Sequence, residues 1–250
     1  MKTLYSSEIS WENEIVKFGI GLFETMAFRN NNILFLDEHI NRLTKSSLEL
    51  KIGENHIESA TRQLKKSTKT LNKTKAIRLT LSNSGYAIEE RDIPYDISHY
   101  KRGFKLWVYP YKRGENPYYR YKTTSYMENY YARNTAKSKG FDDAVFIDYE
   151  NHILECSSSN IIFRKDNTFI LPSFSKPILK GIAVTKVIEE LNKDFKIIEK
   201  NIPMNDIKVM DEAYVCNSLL GIMPVSSIES KDFSFDFSLS IKINNKIFQI

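Results

Sequence analysis

The spacing of the apolar residues switches between two periods before Leu81. Phe23, Thr25 and Ala27 alternate with their neighbours, and Ile33 to Leu36 follow the polar stretch Arg29 to Asn32, which predicts a β-hairpin. From Asp37 the recurrence widens to three and four residues. Ile40, Leu43 and Ser47 share a face that excludes Arg42 and Lys45, and Ile57, Ala60 and Leu64 repeat the pattern in a second helix over Glu54 to Leu71. Alternation returns at Ile77, Leu79 and Leu81 and again at Phe104, Leu106 and Val108. Strands with one apolar face and helices with one apolar stripe must cover each other, so this stretch reads as a small α+β domain over residues 1–109. Residues 110–117 carry Lys112, Arg113, Gly114, Glu115 and Asn116 without an apolar period and read as a linker. Residues 118–250 then form a larger C-terminal domain. Its expected elements are a helix capped by Ser125 and ended by Gly140, strands at Ala144 to Ile147, Ile153 to Glu155, Ile161 to Arg164 and Phe169 to Leu171, a helix after Gly181, and strands at Lys196 to Glu199, Glu212 to Cys216 and Ile222 to Ser227.

Composition removes several classes of function. Of 250 residues, 42% are hydrophobic and 27% charged, which excludes a disordered tail. No apolar run approaches the ~20 residues of a bilayer span, and Met1 to Ser10 lacks the regions of a signal peptide, so a cytoplasmic protein without a membrane partner is expected. Cys156 and Cys216 are too few for a disulfide framework and read as reduced, buried thiols. His39, His56, His99 and His152 form no ligand-spaced pair, so no metal is expected. The excess of 36 basic over 31 acidic residues is mild. Lys65, Lys66, Lys69, Lys73 and Lys75 read as a solvated face, and without a zinc finger, basic zipper or aromatic RNA-binding motif no nucleic-acid partner is expected.

Three local features can carry chemistry. Lys122 lies just before a predicted helix, in a stretch where six tyrosines fall between Tyr118 and Tyr131. An amine walled by aromatic rings loses hydration and is easier to deprotonate. Glu155 ends an apolar strand and is followed by Cys156-Ser157-Ser158-Ser159-Asn160. Small polar residues suit a turn, but a carboxylate at that strand end needs a partner. Finally, Leu179-Lys180-Gly181-Ile182-Ala183 places a glycine at the opening of a helix, where unpaired N–H groups favour an anion.

The order of these features resembles the class IV aminotransferases, the fold-type IV enzymes that use pyridoxal phosphate. Phe18-Gly19-Ile20-Gly21-Leu22-Phe23-Glu24-Thr25 is similar to the family's FGDGxFET, and Glu38-His39-Ile40-Asn41-Arg42-Leu43 to EHxxRL. Lys122 falls at the Schiff-base lysine and Tyr126 near the tyrosine that contacts the cofactor's phenolic oxygen. Glu155 and Asn160 match EGxxxNIF, and Gly181-Ile182-Ala183 matches the GIT phosphate turn. Cys216-Asn217-Ser218-Leu219 through Pro224-Val225 resembles NSLxxxxPV. Two positions depart from the pattern: Ile20 stands for the aspartate of GDG and Ala183 for the threonine of GIT.

The resemblance implies a two-domain fold-type IV enzyme, similar to D-amino acid aminotransferase, that carries pyridoxal 5'-phosphate. Lys122 would be its catalytic amine, and Arg42, Tyr126, Glu155, Asn160, Leu179, Ile182, Ala183 and Ser218 its cofactor-binding positions. Arg42, Ser218 and the amides of Ile182 and Ala183 would take the phosphate, and Glu155 would keep the pyridine nitrogen protonated. A homodimer acting on an anionic small-molecule amine is also implied. The family divides by reaction. Lys122-Thr123-Thr124-Ser125-Tyr126 and the segment from Cys216 to Val225 look closer to aminodeoxychorismate lyase than to branched-chain aminotransferases, whose version reads SGTAAEITPV. The expected reaction is therefore the conversion of 4-amino-4-deoxychorismate into 4-aminobenzoate and pyruvate, in folate biosynthesis. A branched-chain or D-amino acid aminotransferase is the alternative, and a protein that binds without catalysis the third reading.

Overall fold

The computed structural model describes residues 1–8, 10–235 and 237–250. The chain forms two compact units. The first comprises Met1–Pro94 with Tyr121–Tyr126, and the second Tyr95–Arg120 with Met127–Ile250.

In the first unit, β1 (Lys2–Ser6), α1 (Glu14–Phe18), β2 (Leu22–Arg29), β3 (Asn32–Ile33), α2 (Leu36–Leu50), α3 (Ile57–Thr68), β4 (Lys75–Ser82) and β5 (Gly85–Arg91) follow one another. The strands form an antiparallel sheet in the order β1-β5-β4-β2-β3. Asn30 and Asn31, both in the left-handed region, turn β2 into β3, as a two-residue hairpin requires. Register pairs Leu22 with Leu81, Glu24 with Leu79 and Met26 with Ile77. Leu22, Met26 and Phe28 therefore point to one face, where they pack with Leu43 of α2 and Ala60 and Leu64 of α3. Alternation puts Glu24 on that same apolar face. Phe23, Thr25 and Ala27, the residues that signal this strand in the sequence, lie on the opposite face.

The second unit continues with α4 (Ile97–Arg102), β6 (Phe104–Val108), α5 (Met127–Ser138), β7 (Asp143–Ile147), β8 (Ile153–Cys156), β9 (Asn160–Lys165), β10 (Thr168–Pro172), α6 (Ile182–Leu191), β11 (Lys196–Lys200), β12 (Glu212–Asn217), β13 (Gly221–Ile228), β14 (Lys231–Asp232) and α7 (Phe237–Ile243). Its mixed sheet runs β11-β10-β9-β12-β13-β6-β7-β8, with β14 beside β13. Both faces are covered, which is why its strands read as nearly continuous apolar runs. In β7, Val145 and Ile147 join one cluster with Ile161, Phe163 and Val215, while Ala144 and Phe146 join Ala132 and Ala136 of α5.

The α+β class expected from the sequence is observed, but the division of the chain differs from 1–109, 110–117 and 118–250. Strand β6 pairs with β13 and β7 and so belongs to the second sheet. Alternation identifies a strand, not the sheet it joins. The stretch 110–117 is no free linker either. Arg113 N–H donates to the Ile147 carbonyl at 2.9 Å, and its side chain is only 1% exposed. Residues Tyr121–Tyr126 return to the first unit, where Leu22 and Thr123 form an antiparallel bridge. Ser125 lies two residues before α5, and its hydroxyl donates to the Gly19 carbonyl. The hairpin strand β5 occupies most of Asn83 to Asp92, a stretch in which Glu89 and Glu90 interrupt the apolar alternation. Among the described residues, no helix is long and apolar enough to cross a membrane.

The turn from β12 to β13 is held from two sides. Asn217 Oδ1 accepts from Leu219 and Leu220 N–H at 2.9 and 3.0 Å, while buried Asn244 bonds both the N–H and the carbonyl of Ile222 at 2.9 Å. Gly221 sits there at φ +63°, with Asn244 so close that a Cβ would overlap it. Replacing Asn244 by leucine should destabilise the second unit by about 2–3 kcal/mol, because two buried backbone groups lose their partner. Urea denaturation of Asn244→Leu beside the wild type measures it; an unchanged midpoint contradicts this account.

Candidate active site

In the first unit, α2 places His39 and Arg42 three residues apart on one face, above the buried Glu24 of β2. Arg42 Nε and Nη2 donate to the two Glu24 oxygens at 2.7 and 2.6 Å, and His39 Nδ1 lies 2.6 Å from Oε2. Burial alone would raise the Glu24 carboxyl, but the Arg42 charge and the hydrogen bonds from His39 and Arg42 outweigh it and hold the group at about 2. Burial lowers His39 below its ordinary 6.5 against the pull of Glu24, and the Arg42 and Lys122 charges push the same way as burial. His39 is thus a neutral imidazole at pH 7, completing a pair of opposite charges.

Lys122 lies on the neighbouring edge of the same sheet. Its carbonyl accepts from Phe23 N–H at 2.9 Å, and Thr124 N–H donates to the Gly21 carbonyl at 2.8 Å, so the segment adds to the start of β2. This aims the half-buried amine at aromatic faces. Nζ is 4.4 Å from the Phe23 ring centroid and 5.5 Å from that of Tyr126, and the two rings meet edge to face. Arg78 stacks on Phe23 at 3.7 Å. The first unit therefore brings Lys122 and Tyr126 together and sets Arg42 beside Glu24, a partner the sequence motifs did not specify.

In the second unit the glutamate at the strand end has a definite origin. Ile153 pairs with Ile147 and Cys156 with Val145, so Leu154 and Glu155 together face the single residue Phe146. Such a bulge re-aims a side chain. It turns Glu155 towards Arg113, whose guanidinium lies 3.4 Å over the Phe146 ring and 4.3 Å from the Tyr119 ring. Arg113 Nη1 donates to Glu155 Oε1 at 2.9 Å, and Leu179 N–H donates to Oε2 at 3.2 Å. The first turn of α5 supplies the other acceptors for this arginine, Glu128 Oε2 at 2.8 Å from Nε and Asn129 Oδ1 at 3.1 Å from Nη2. Arg113 and Glu128 were missed in the sequence. The available signal was the glutamate itself, which demanded a buried cation.

The turn into α6 is braced by Asn160, which accepts from Gly181 N–H at 3.2 Å and donates to the Leu179 carbonyl at 2.8 Å. Gly181 approaches so closely that a Cβ would collide with the asparagine oxygen. The first helical bond runs from Thr185 N–H to the Gly181 carbonyl, and no side chain caps the end. The N–H groups of Ile182, Ala183 and Val184 therefore have no acceptor within the helix, which suits a phosphate. Ala183 is buried, so only its N–H, not a hydroxyl, serves there. Ser218 follows Asn217, which donates to the Ser158 carbonyl at 3.1 Å, and Cys216 pairs with Asn160 across the sheet. Glu155, Asn160, Leu179, Ile182, Ala183 and the turn bearing Ser218 thus form one neighbourhood. The serines after Glu155 have a further use: Ser157 and Ser158 donate to buried Asp143. Away from this region Asp148, Glu150 and His152 cluster, but the Lys176 ammonium lies 3.0 Å from Asp148 and 3.5 Å from Glu150.

Each unit offers groups that suit one part of pyridoxal phosphate: the first an amine against aromatic faces, the second a carboxylate paired with a buried arginine and an uncapped helix end. Removing Arg42 leaves the buried Glu24 carboxylate without its cation, so Arg42→Ala should cost about 3–5 kcal/mol of stability, and Glu24→Gln in the same chain should recover part of it. Acid adds a second check. The unfolded chain protonates His39 first, so stability falls as pH drops below 6.5; the Glu24 contribution is complete above 4.5 and is lost as pH falls towards 2. In urea denaturation over a pH series, His39→Gln should flatten the first part of this decline; an unchanged slope contradicts the buried neutral imidazole.

The chain is 28% identical to an aminodeoxychorismate lyase of Vibrio harveyi over 141 residues, 56% of this chain and 52% of that protein. It is 32% identical to branched-chain-amino-acid aminotransferase 1 of Arabidopsis thaliana over 107 residues, 42% of this chain and 28% of that one. The chain thus matches about half or less of the length of these relatives. A solved structure of a hypothetical aminotransferase from Mycobacterium tuberculosis in its PLP-bound form superposes with a TM-score of 0.87 at 18% identity, covering 99% of this chain and 98% of that one, which shows a shared fold. The model of the amino-transferase class IV family matches residues 21–228. The chain belongs to the class IV aminotransferases, a family of PLP enzymes.

Proposed function

We propose that this protein is a pyridoxal-phosphate-dependent 4-amino-4-deoxychorismate lyase that releases 4-aminobenzoate and pyruvate for folate synthesis. The cofactor half of the reading is carried by one observation, the Lys122 amine held against the Phe23 and Tyr126 rings. The lyase half is supported by the segment Cys216-Asn217-Ser218-Leu219 to Pro224-Val225, which forms the braced β12–β13 turn, and by the similarity to the Vibrio harveyi lyase. A branched-chain or D-amino acid aminotransferase is the second reading, favoured by the 32% identity to the Arabidopsis thaliana enzyme.

When bound, pyridoxal phosphate supplies an electron-withdrawing ring that stabilises negative charge on the substrate carbon bearing the amine. Lys122 Nζ removes the proton from that carbon and returns a proton to the methylene carbon of the departing enolpyruvyl group, one base serving both transfers. Glu155 would hold the proton on the ring nitrogen, and the Tyr126 hydroxyl would serve the phenolic oxygen. Arg42, the Ser218 hydroxyl and the N–H groups of Ile182 and Ala183 would hold the phosphate, while Asn160 keeps the turn at Leu179 and Gly181 in place. The proposed active form is a cytoplasmic homodimer, and its substrate an anionic amine, in keeping with the net charge of +5.

Purified protein given aminodeoxychorismate without any ketoacid should form 4-aminobenzoate and pyruvate in equal amounts. Lys122→Ala should lower that rate by at least about 10³-fold while circular dichroism stays unchanged. Rapid turnover of leucine or D-alanine with a ketoacid, and no 4-aminobenzoate, would replace the lyase reading by the aminotransferase. Light scattering giving the mass of a single chain would remove the dimer.

A further inference from the structure

We propose that Arg113 and Glu128 set the proton affinity that Glu155 confers on the cofactor's ring nitrogen, Arg113 as a positioning residue and Glu128 as its counter-charge. The inference rests on the reading of Glu155 given above and adds two residues that no family motif in this chain contains.

The geometry is that of a cation shared unequally. Arg113 is 1% exposed, clamped between the Phe146 and Tyr119 rings, and committed through three nitrogens to Glu155, Glu128 and Asn129. A planar guanidinium fixed in this way cannot turn, so it fixes the plane of the Glu155 carboxylate. Were Glu155 its only anionic partner, the pair would be neutral and the carboxylate would have little hold on a further proton-bearing nitrogen. Glu128 changes the balance. With two carboxylates on one arginine, the cluster keeps one negative charge, and this excess favours a cationic ring nitrogen against Glu155. The third acceptor, Asn129, is neutral and is itself held by donating to the Ser157 carbonyl at 2.8 Å, so it orients Arg113 without altering the count. Among the described residues Asp143 of β7 also lies near this strand end; it accepts from Ser157 and Ser158 and keeps its surroundings in the variants below.

Glu128 is also the member that can be altered safely. Its side chain is 30% exposed, whereas losing Arg113 would strand two carboxylates. Glu128→Gln keeps an oxygen for Arg113 Nε and removes only the charge.

The test is nitrogen-15 NMR of full-length protein reconstituted with pyridoxal phosphate labelled at the ring nitrogen, followed over pH for wild type, Glu128→Gln and Glu155→Gln. Wild type should show the protonated ring nitrogen, and Glu155→Gln should lose it. Glu128→Gln should bind one cofactor per chain yet lose the ring proton at lower pH than wild type. A Glu128→Gln titration that superimposes on wild type, or moves to higher pH, overturns the proposal. If Glu155→Gln retains the ring proton, the role of Glu155 fails and the proposal with it, although the cofactor reading stands. A wild-type chain that takes up no cofactor overturns both.

Discussion

A carboxylate stands inside the second sheet only because an arginine is buried with it. An ionised glutamate cut off from water costs several kcal/mol unless a cation and hydrogen bonds replace its hydration. Arg113 supplies both, and its own burial is made tolerable by two aromatic faces and two further acceptors. The β8 bulge, the start of α5 and the stretch once expected to be a linker all serve this one ion pair. The bulge turns Glu155 to the face where α5 packs, and α5 presents Glu128 and Asn129 one turn before the small Ala132 that lets it approach the sheet.

The first unit solves the same problem with other residues. Glu24 lies among Leu22, Met26 and Phe28 on the face covered by α2, and Arg42 with His39 answers it from the helix. Because Arg42 is 19% exposed, its charge is divided between a buried partner and the solvent side. A site assembled on strands and helices pinned by buried ions is held more precisely than one on loops. It is also costly to alter, since removing either partner strands the other.

The residues proposed to hold the cofactor stand out in the sequence because their chemistry is local. Lys122 among tyrosines, Gly181 before an apolar helix and Glu155 at a strand end each break a short-range rule that a purely structural segment would keep. The positions that support them were hidden, since a supporting residue is defined by what lies opposite in space. Arg113 sits in a polar stretch with no apolar period, and nothing along the chain says that Asp148 is its strand neighbour. The same limit displaced β6 to the wrong sheet. Its alternation is plain, but its partners β13 and β7 lie far away in sequence. Strand β5 was lost for the opposite reason, a run of charged residues that obscured its period.

The two departures from the family pattern bear on how much of the apparatus is side chain and how much backbone. Ile20 lacks the aspartate carboxylate, yet its loop is fixed one residue earlier, where the Gly19 carbonyl accepts from both Thr124 and Ser125. The bond therefore ties the loop to the segment that carries Lys122, whatever stands at position 20. Ala183 lacks the threonine hydroxyl, yet the helix end offers its N–H groups regardless of side chain, and the close packing of Gly181 on Asn160 fixes their direction. In both places a backbone group is present where the family pattern has a polar side chain. Backbone geometry depends on neighbours and not on the residue's own identity, whereas the amine and the carboxylate proposed for Lys122 and Glu155 have no backbone substitute.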